Sequence, residues 1–181
     1  MTYLISIVLV FLLLFIFIYN NLVSKKNKTE EAYSSIDVML KKRTDLIPQL
    51  VNAVKGYMKH EKQILTDITK LRQRIVDQKV DDRERIQLED QLGDKLGKLQ
   101  VSVEAYPDLK ASENFLLLQS SLNEVEEQLS AARRSYNAAI YAFNSALEMF
   151  PSNIVAKLMG YTQKPMFTIE PSEAEVPKVS I

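Results

Sequence analysis

From Tyr3 to Tyr19 the chain is apolar apart from Ser6, and the run fades through Asn20, Asn21, Leu22 and Val23. No other feature restricts the fold so tightly. At about 1.5 Å of rise per residue, a helix over this run reaches roughly 26–32 Å, the thickness of a bilayer's hydrocarbon core. In lipid only a helix satisfies such a segment's backbone groups from within. A buried core helix fits poorly, because every face is large and apolar. A cleaved secretory signal also fits poorly: no Lys or Arg precedes Tyr3, and the exit NNLVSKKNK offers no A-x-A cleavage site. The run therefore reads as a transmembrane anchor over residues 3–23.

Lys25, Lys26 and Lys28 follow directly. The positive-inside rule puts them in the cytoplasm, with residues 1–2 as a short extracytoplasmic end. The expected location is the cell membrane, crossed once, with the N-terminus outside. The same lysines can also touch anionic lipid headgroups; setting topology is the plainer reading.

Beyond the anchor, charge balances, with 23 basic against 23 acidic residues, so nothing global suggests a nucleic-acid partner. The absence of cysteine removes disulfides, thiolate ligands and a cysteine nucleophile. Four glycines in 181 residues disfavour a turn-rich β fold and agree with long helices. Residues 24–160 are expected to form an all-α domain of long, coiled-coil-like helices.

The first periodic segment runs from about Thr29 to Asp77. Ile36, Arg43, Leu50, Tyr57, Ile64 and Leu71 form one seven-residue series; Leu40, Ile47, Val54, Glu61, Ile68 and Ile75 form another. Such series suit a helix packing through a narrow seam. They continue in phase across Pro48, which predicts one kinked helix. The alternative is a break there, with Asp45 capping a new helix. A polar loop is expected over Gln78–Arg85, then a helix from about Glu84 to Tyr106 with Leu88, Leu92, Leu96, Leu99, Val103 and Tyr106 on one face. Gly93 and Gly97, four apart in it, permit close helix approach or are simply tolerated.

Pro107 stops that helix, and Asp108 or Ser112 can cap the next. There Phe115, Leu118, Leu122, Val125, Leu129, Ala132, Tyr136, Ala139, Phe143, Ala146 and Phe150 alternate steps of three and four. A stripe that long must pack on a partner. Pro151 ends it, Ser152 or Asn153 can cap a short helix through Met159, and Gly160 suits its C-terminal cap. Residues 161–181, with Pro165, Pro171 and Pro177, read as an extended tail whose first part Met166, Phe167 and Ile169 can pin to the bundle.

Four blocks, LIPQLVNAVKGYMKHE (Leu46–Glu61), EAYPDLKASENFLLLQ (Glu104–Gln119), ARRSYNAAIYAFN (Ala132–Asn144) and FPSNIVAKLMGY (Phe150–Tyr161), resemble the LemA family of bacterial membrane proteins. Tyr33 stands where that family often has tryptophan, and Tyr161 where phenylalanine is frequent; both keep a ring. The resemblance implies an N-out, C-in anchor and an antiparallel up-and-down bundle over residues 24–160, usually described as four helices, so that the Pro48 region or the C-terminal segment supplies the fourth. It implies no catalytic residues. Some relatives are associated with shaping or organising intracellular membranes, and others accompany membrane proteases.

Reactive constellations are missing from the sequence. His60-Glu61 begins like H-E-x-x-H, but the second ligand position is Ile64, so His60 reads as a helix-surface residue. Glu84, Glu89, Asp90, Asp94, Glu124, Glu126 and Glu127 include no ExxH pairing and read as a solvated face. No G-x-S-x-G or phosphate-cradling loop exists. The expectation is therefore no enzyme, no cofactor and no metal. Arg43 and Glu61 stand in otherwise apolar seam slots: either they snorkel to the seam edge or they pair across helices and fix register or partner choice. Asn137 and Asn144, seven apart, are expected to bond across the bundle and specify alignment.

The reading these features support is a membrane-tethered, non-enzymatic scaffold that associates with itself or another membrane protein and organises or shapes the membrane. The alternative is a regulatory adaptor for a membrane protease or envelope-stress pathway.

Overall fold

The computed structural model describes residues 1–77 and 82–166. Among them it is all-α: α1 (Thr2–Lys55), α2 (Lys62–Val76), α3 (Asp82–Val103), α4 (Pro107–Lys110), α5 (Glu113–Glu148) and α6 (Ser152–Leu158). Two compact units divide the chain, one of Met1–Ile36 with Ala131–Ile181, the other of Asp37–Ser130. Helices α1 and α5 contribute to both.

In the first unit α1 leaves the apolar run without interruption. Tyr3 through Phe17 is exposed on every side, and α1 is long and apolar enough there to cross a bilayer. The packed part begins at Ile18 and Leu22, which join Ala146, Val155 and Ala156 in one cluster with Met159 and Tyr161. The α5 helix runs antiparallel to α1: Leu22 meets the Ala146 cluster, and eleven residues on, Tyr33 lies 5.7 Å from the Tyr136 ring.

Most of the predicted α5 stripe is at least partly buried, but Phe150 lies beyond the helix end and is 80% exposed. Ile140, outside the series, is fully buried, because a helix in a bundle buries a broader face than a two-slot seam. The expected capping of α6 by Ser152 or Asn153 is also replaced. Pro151 holds the cap position without a side-chain bond. The Ser152 hydroxyl instead serves the preceding helix, lying 2.7 Å from the carbonyl of Ala146 and 2.9 Å from that of Met149. Gly160 does close α6, at φ 67°: its N–H bonds the Lys157 carbonyl at 3.1 Å, and the Tyr161 N–H bonds that of Ala156 at 3.0 Å. That pair is a Schellman motif.

In the second unit the single kinked helix expected to Asp77 is two helices. α1 passes through Pro48 unbroken, ends at Lys55, and the chain turns over residues 56–61 before α2. Tyr57 is exposed and Met58 takes the buried slot beside Val54. This break, downstream of Pro48, supplies the extra long helix. Helix α2 returns antiparallel to α1, placing Arg72 against Thr44. Helix α3 returns again, placing Lys95 on Asp67. Leu88, Leu92, Leu99 and Val103 of α3 bury as predicted, with Leu96 and Tyr106 packed against the same core.

The predicted polar loop is shortened, because residues 82–85 already belong to α3; residues 78–81 lie outside the described residues. Pro107 opens the one-turn α4 and Asp108 sits in its first turn, so Asp108 does not cap α5. Phe167, Ile169, Pro171 and Pro177 lie outside the described residues, as does the rest of the tail beyond residue 166.

Candidate functional site

Within the second unit, the midpoint of α1 carries a charged centre whose layout begins with Pro48. Proline has no N–H, so the carbonyl four residues earlier, that of Thr44, loses its helical donor. Arg72 Nε on α2 fills the vacancy at 3.2 Å. The Thr44 hydroxyl turns back to the Leu40 carbonyl at 2.9 Å.

One residue earlier, Arg43 is 2% exposed and Glu89, opposite it on α3, is 1% exposed. Nη2 of Arg43 bonds the Glu89 carboxylate and also its backbone carbonyl, the latter at 2.9 Å. Nη1 reaches Glu126 of α5 at 3.1 Å. The Arg43 Nε–H is buried without a hydrogen-bond partner. A Cβ at residue 93 would stand 3.7 Å from Arg43 Nη1, whereas one at Gly97 would meet nothing. Of the two glycines, only Gly93 borders the charged centre.

Glu89 therefore departs from the solvated carboxylate face expected of it. Its signal was its position beside Leu88 and three before Leu92, at the edge of the apolar face. Arg43, the one basic seam residue, called for such a partner. Glu61 is not that partner: it precedes the first residue of α2, in the connection, and makes no side-chain cap there. His60 is exposed in the same connection rather than on a helix. The planar guanidinium, bonded to α3 and α5 at once, can hold helices in register. Among the described residues no group of three or more His, Cys, Asp or Glu side chains converges as metal ligands would.

Away from the centre, Lys95 Nζ lies 2.7 Å from Asp67. That hydrogen bond, aided by Gln63 and the charges of Lys95 and Lys70 against a smaller effect of burial, holds the Asp67 carboxyl below its ordinary value.

The first unit carries a second constellation, a strap. The Asn144 amide donates to the Lys164 carbonyl at 2.9 Å and accepts from the Lys164 N–H at 3.0 Å, pairing with extended backbone as a neighbouring strand would. The Lys164 ammonium donates to the buried Thr29 hydroxyl at 3.0 Å and stands 5.8 Å from the Phe143 ring centroid. Thr29 in turn donates to the Lys26 carbonyl at 2.7 Å, and Tyr161 packs on Phe143 at 5.7 Å. Asn144 and Lys164 thus hold the stretch expected to be pinned by Met166, which is itself exposed. Asn137 sits partly buried on α5 beside Tyr136, whose hydroxyl burial pushes to a higher pKa.

Of the lysines after the span, Lys25 is partly buried and Lys26 pairs with Glu30 at 3.3 Å. Lys28 borders an open hollow of about 280 Å³ with Glu31, Ala32, Ser35, Ser135 and Ala139.

Comparison with known proteins adds a lineage. The profile of the LemA family matches residues 32–181. Protein LemA of Metamycoplasma hominis is 30% identical over 148 residues, covering 80% of this chain and 68% of that protein. Magnetosome protein MamQ 2 of Paramagnetospirillum magneticum is 30% identical over 80 residues. Magnetosome protein MamQ of Magnetospirillum gryphiswaldense is 26% identical over the same length. These two matches take in 44% of this chain and 29% of each magnetosome protein, so the shared part is well under half of those relatives.

Proposed function

The chain belongs to the LemA family, and from that premise we propose that it is a single-pass, non-enzymatic membrane scaffold, with its N-terminus outside and its helical units in the cytoplasm. It associates with further copies of itself and organises the membrane that holds it. The observation that carries this reading is the continuity of α1. A segment exposed on all sides over Tyr3–Phe17 passes, within one helix, into the packed positions Leu22, Ala32, Ile36 and Leu40. An unbroken helix fixes the first unit's orientation to the bilayer. Lys25, Lys26 and Lys28 support the inward placement.

Self-association is supported by α5, where Leu116, Leu117 and Tyr141 stand exposed away from the buried stripe. Because the chain has no cysteine, Leu117→Cys and Tyr141→Cys give clean crosslinking sites in intact membranes. Species at multiples of the 20.7 kDa chain are expected. A strictly monomeric pattern would overturn self-assembly, and one stoichiometric protease partner would favour the adaptor instead.

A further inference from the structure

We propose that the corner where α5 gives way to α6, through Met149, Phe150, Ile154 and Leu158, inserts into the headgroup–acyl boundary of the bilayer that α1 crosses. The inference rests on α1 being a membrane span. Its occupant is the lipid of that same membrane.

Register within the first unit places the corner. Leu22 shares a cluster with Ala146, and Tyr33 meets Tyr136. Along an antiparallel helix pair one partner loses a residue for each that the other gains, so Phe150 falls level with Ile18 and Tyr19. Those residues close the apolar run, and Tyr19 is the sort of ring that settles at a membrane–water interface.

The length of the span points the same way. The stretch exposed on all sides, Tyr3–Phe17, covers roughly 22 Å as a helix, against about 30 Å of hydrocarbon. The missing 8 Å or so corresponds to Ile18–Leu22, and there Ile18 and Leu22 pack on α5 and α6 while Tyr19, Asn20 and Asn21 stay exposed. Lipid deep enough to bury the span therefore reaches the level of the corner.

The corner is also built for that level. Val155 and Ala156 turn inward to the cluster, while Phe150 is 80% and Leu158 75% exposed, with Met149 and Ile154 exposed beside them. From Met149 to Lys164 the sequence has no Asp or Glu, Lys157 sits exposed within α6, and Glu148, the exposed last residue of α5, accepts from Gln163 Nε2 at 2.6 Å. An apolar face with a lysine at its edge, and with its neighbouring carboxylate, Glu148, bonded to Gln163, fits an anionic lipid surface, the face sinking ~5–10 Å into the boundary.

The test uses full-length single-cysteine variants, Phe150→Cys and Leu158→Cys. Each carries an environment-sensitive fluorophore and is reconstituted in phosphatidylcholine–phosphatidylglycerol vesicles. Leu9→Cys reports the span and Val101→Cys reports water. Nitroxide lipids labelled at the top of the acyl chain are expected to quench labels at 150 and 158, with blue-shifted emission, while 101 remains unquenched. Labels at 150 and 158 that behave like 101, with Leu9 quenched by deep nitroxides, would overturn the corner and leave the anchor standing. Blue-shifted but unquenched labels, with the unlabelled cysteines crosslinking between chains, would overturn it in favour of a second copy. An unquenched Leu9 would overturn the anchor reading and the corner with it.

Discussion

Arg72 donates its Nε–H to the Thr44 carbonyl at 3.2 Å, the acceptor that Pro48 leaves without a helical partner. A proline inside a helix is therefore answered from the neighbouring helix, and α1 continues where a break was one expectation. Replacing Arg72→Met strips the carbonyl of its donor and is expected to cost about 1–3 kcal/mol. In a Pro48→Ala background the restored N–H takes over, and the cost of Arg72→Met should shrink. Chemical unfolding of the four proteins in detergent, followed by circular dichroism, measures the coupling. Equal costs in both backgrounds would mean that Arg72 only packs.

The Arg43–Glu89 pair is almost fully buried, so losing one member strands the other charge. Arg43→Met is expected to destabilise by about 3–5 kcal/mol, and adding Glu89→Leu to recover most of it. Glu126, 57% exposed, contributes under about 1 kcal/mol, and Glu126→Gln should barely register. The same unfolding assay reads all three. A double variant as unstable as Arg43→Met would show that the pair does more than compensate its own burial.

How much of this was written in the sequence varies by residue. The apolar run of α1 follows from composition, and the α3 face and most of the α5 stripe from periodicity, because burial along a helix repeats with its turn. The end of α1 was also signalled, by Lys55 followed by Gly56, a basic last turn and a glycine stop. The heptad series, which resume in phase beyond the turn, masked that signal. Arg43 stood out as a charge in the seam, yet Glu89 did not, since pairing across helices depends on which faces meet. The Lys164 strap was illegible for a similar reason: the Asn144 amide meets the Lys164 backbone, which carries no side-chain pattern, and the Lys164–Thr29 bond joins residues far apart in the chain.

Acid should weaken the second unit partly through Asp67. Its carboxyl sits below the ordinary 3.8 in the folded chain, so its contribution is complete at neutral pH and disappears as pH falls through the lowered folded value. Asp67→Asn is expected to unfold more easily than the parent at neutral pH, with the gap closing as pH drops below 3.8. Thermal midpoints taken across that range check the convergence. A gap that stays constant would assign the loss to packing rather than charge.

Gly160 holds φ 67° to close α6, a conformation that costs a side-chain-bearing residue about 1–2 kcal/mol. A Cβ there meets nothing within 4 Å, so Gly160→Ala isolates the backbone cost. A loss of that size is expected in the unfolding assay, and no loss would mean that the Schellman closure contributes little to stability.

Asn144 both donates to and accepts from the Lys164 backbone, so its removal should release the strap before it harms the helices. Asn144→Leu keeps the volume and deletes both bonds, leaving Lys164 with only its ammonium contacts to Thr29 and Phe143. Net hydrogen bonds of this sort contribute about 1 kcal/mol each, which for a short extended segment decides whether it stays docked. Amide hydrogen exchange at residues 162–166 should therefore rise steeply in Asn144→Leu, while the amides of α5 around Ile140 remain protected. Asn144→Asp separates the two bonds: it keeps an acceptor for the Lys164 N–H but presents a carboxylate to the Lys164 carbonyl, so exchange is expected to rise nearly as far. Unchanged exchange in both variants would show that Tyr161 on Phe143 and the Lys164–Thr29 bond hold the segment without the amide.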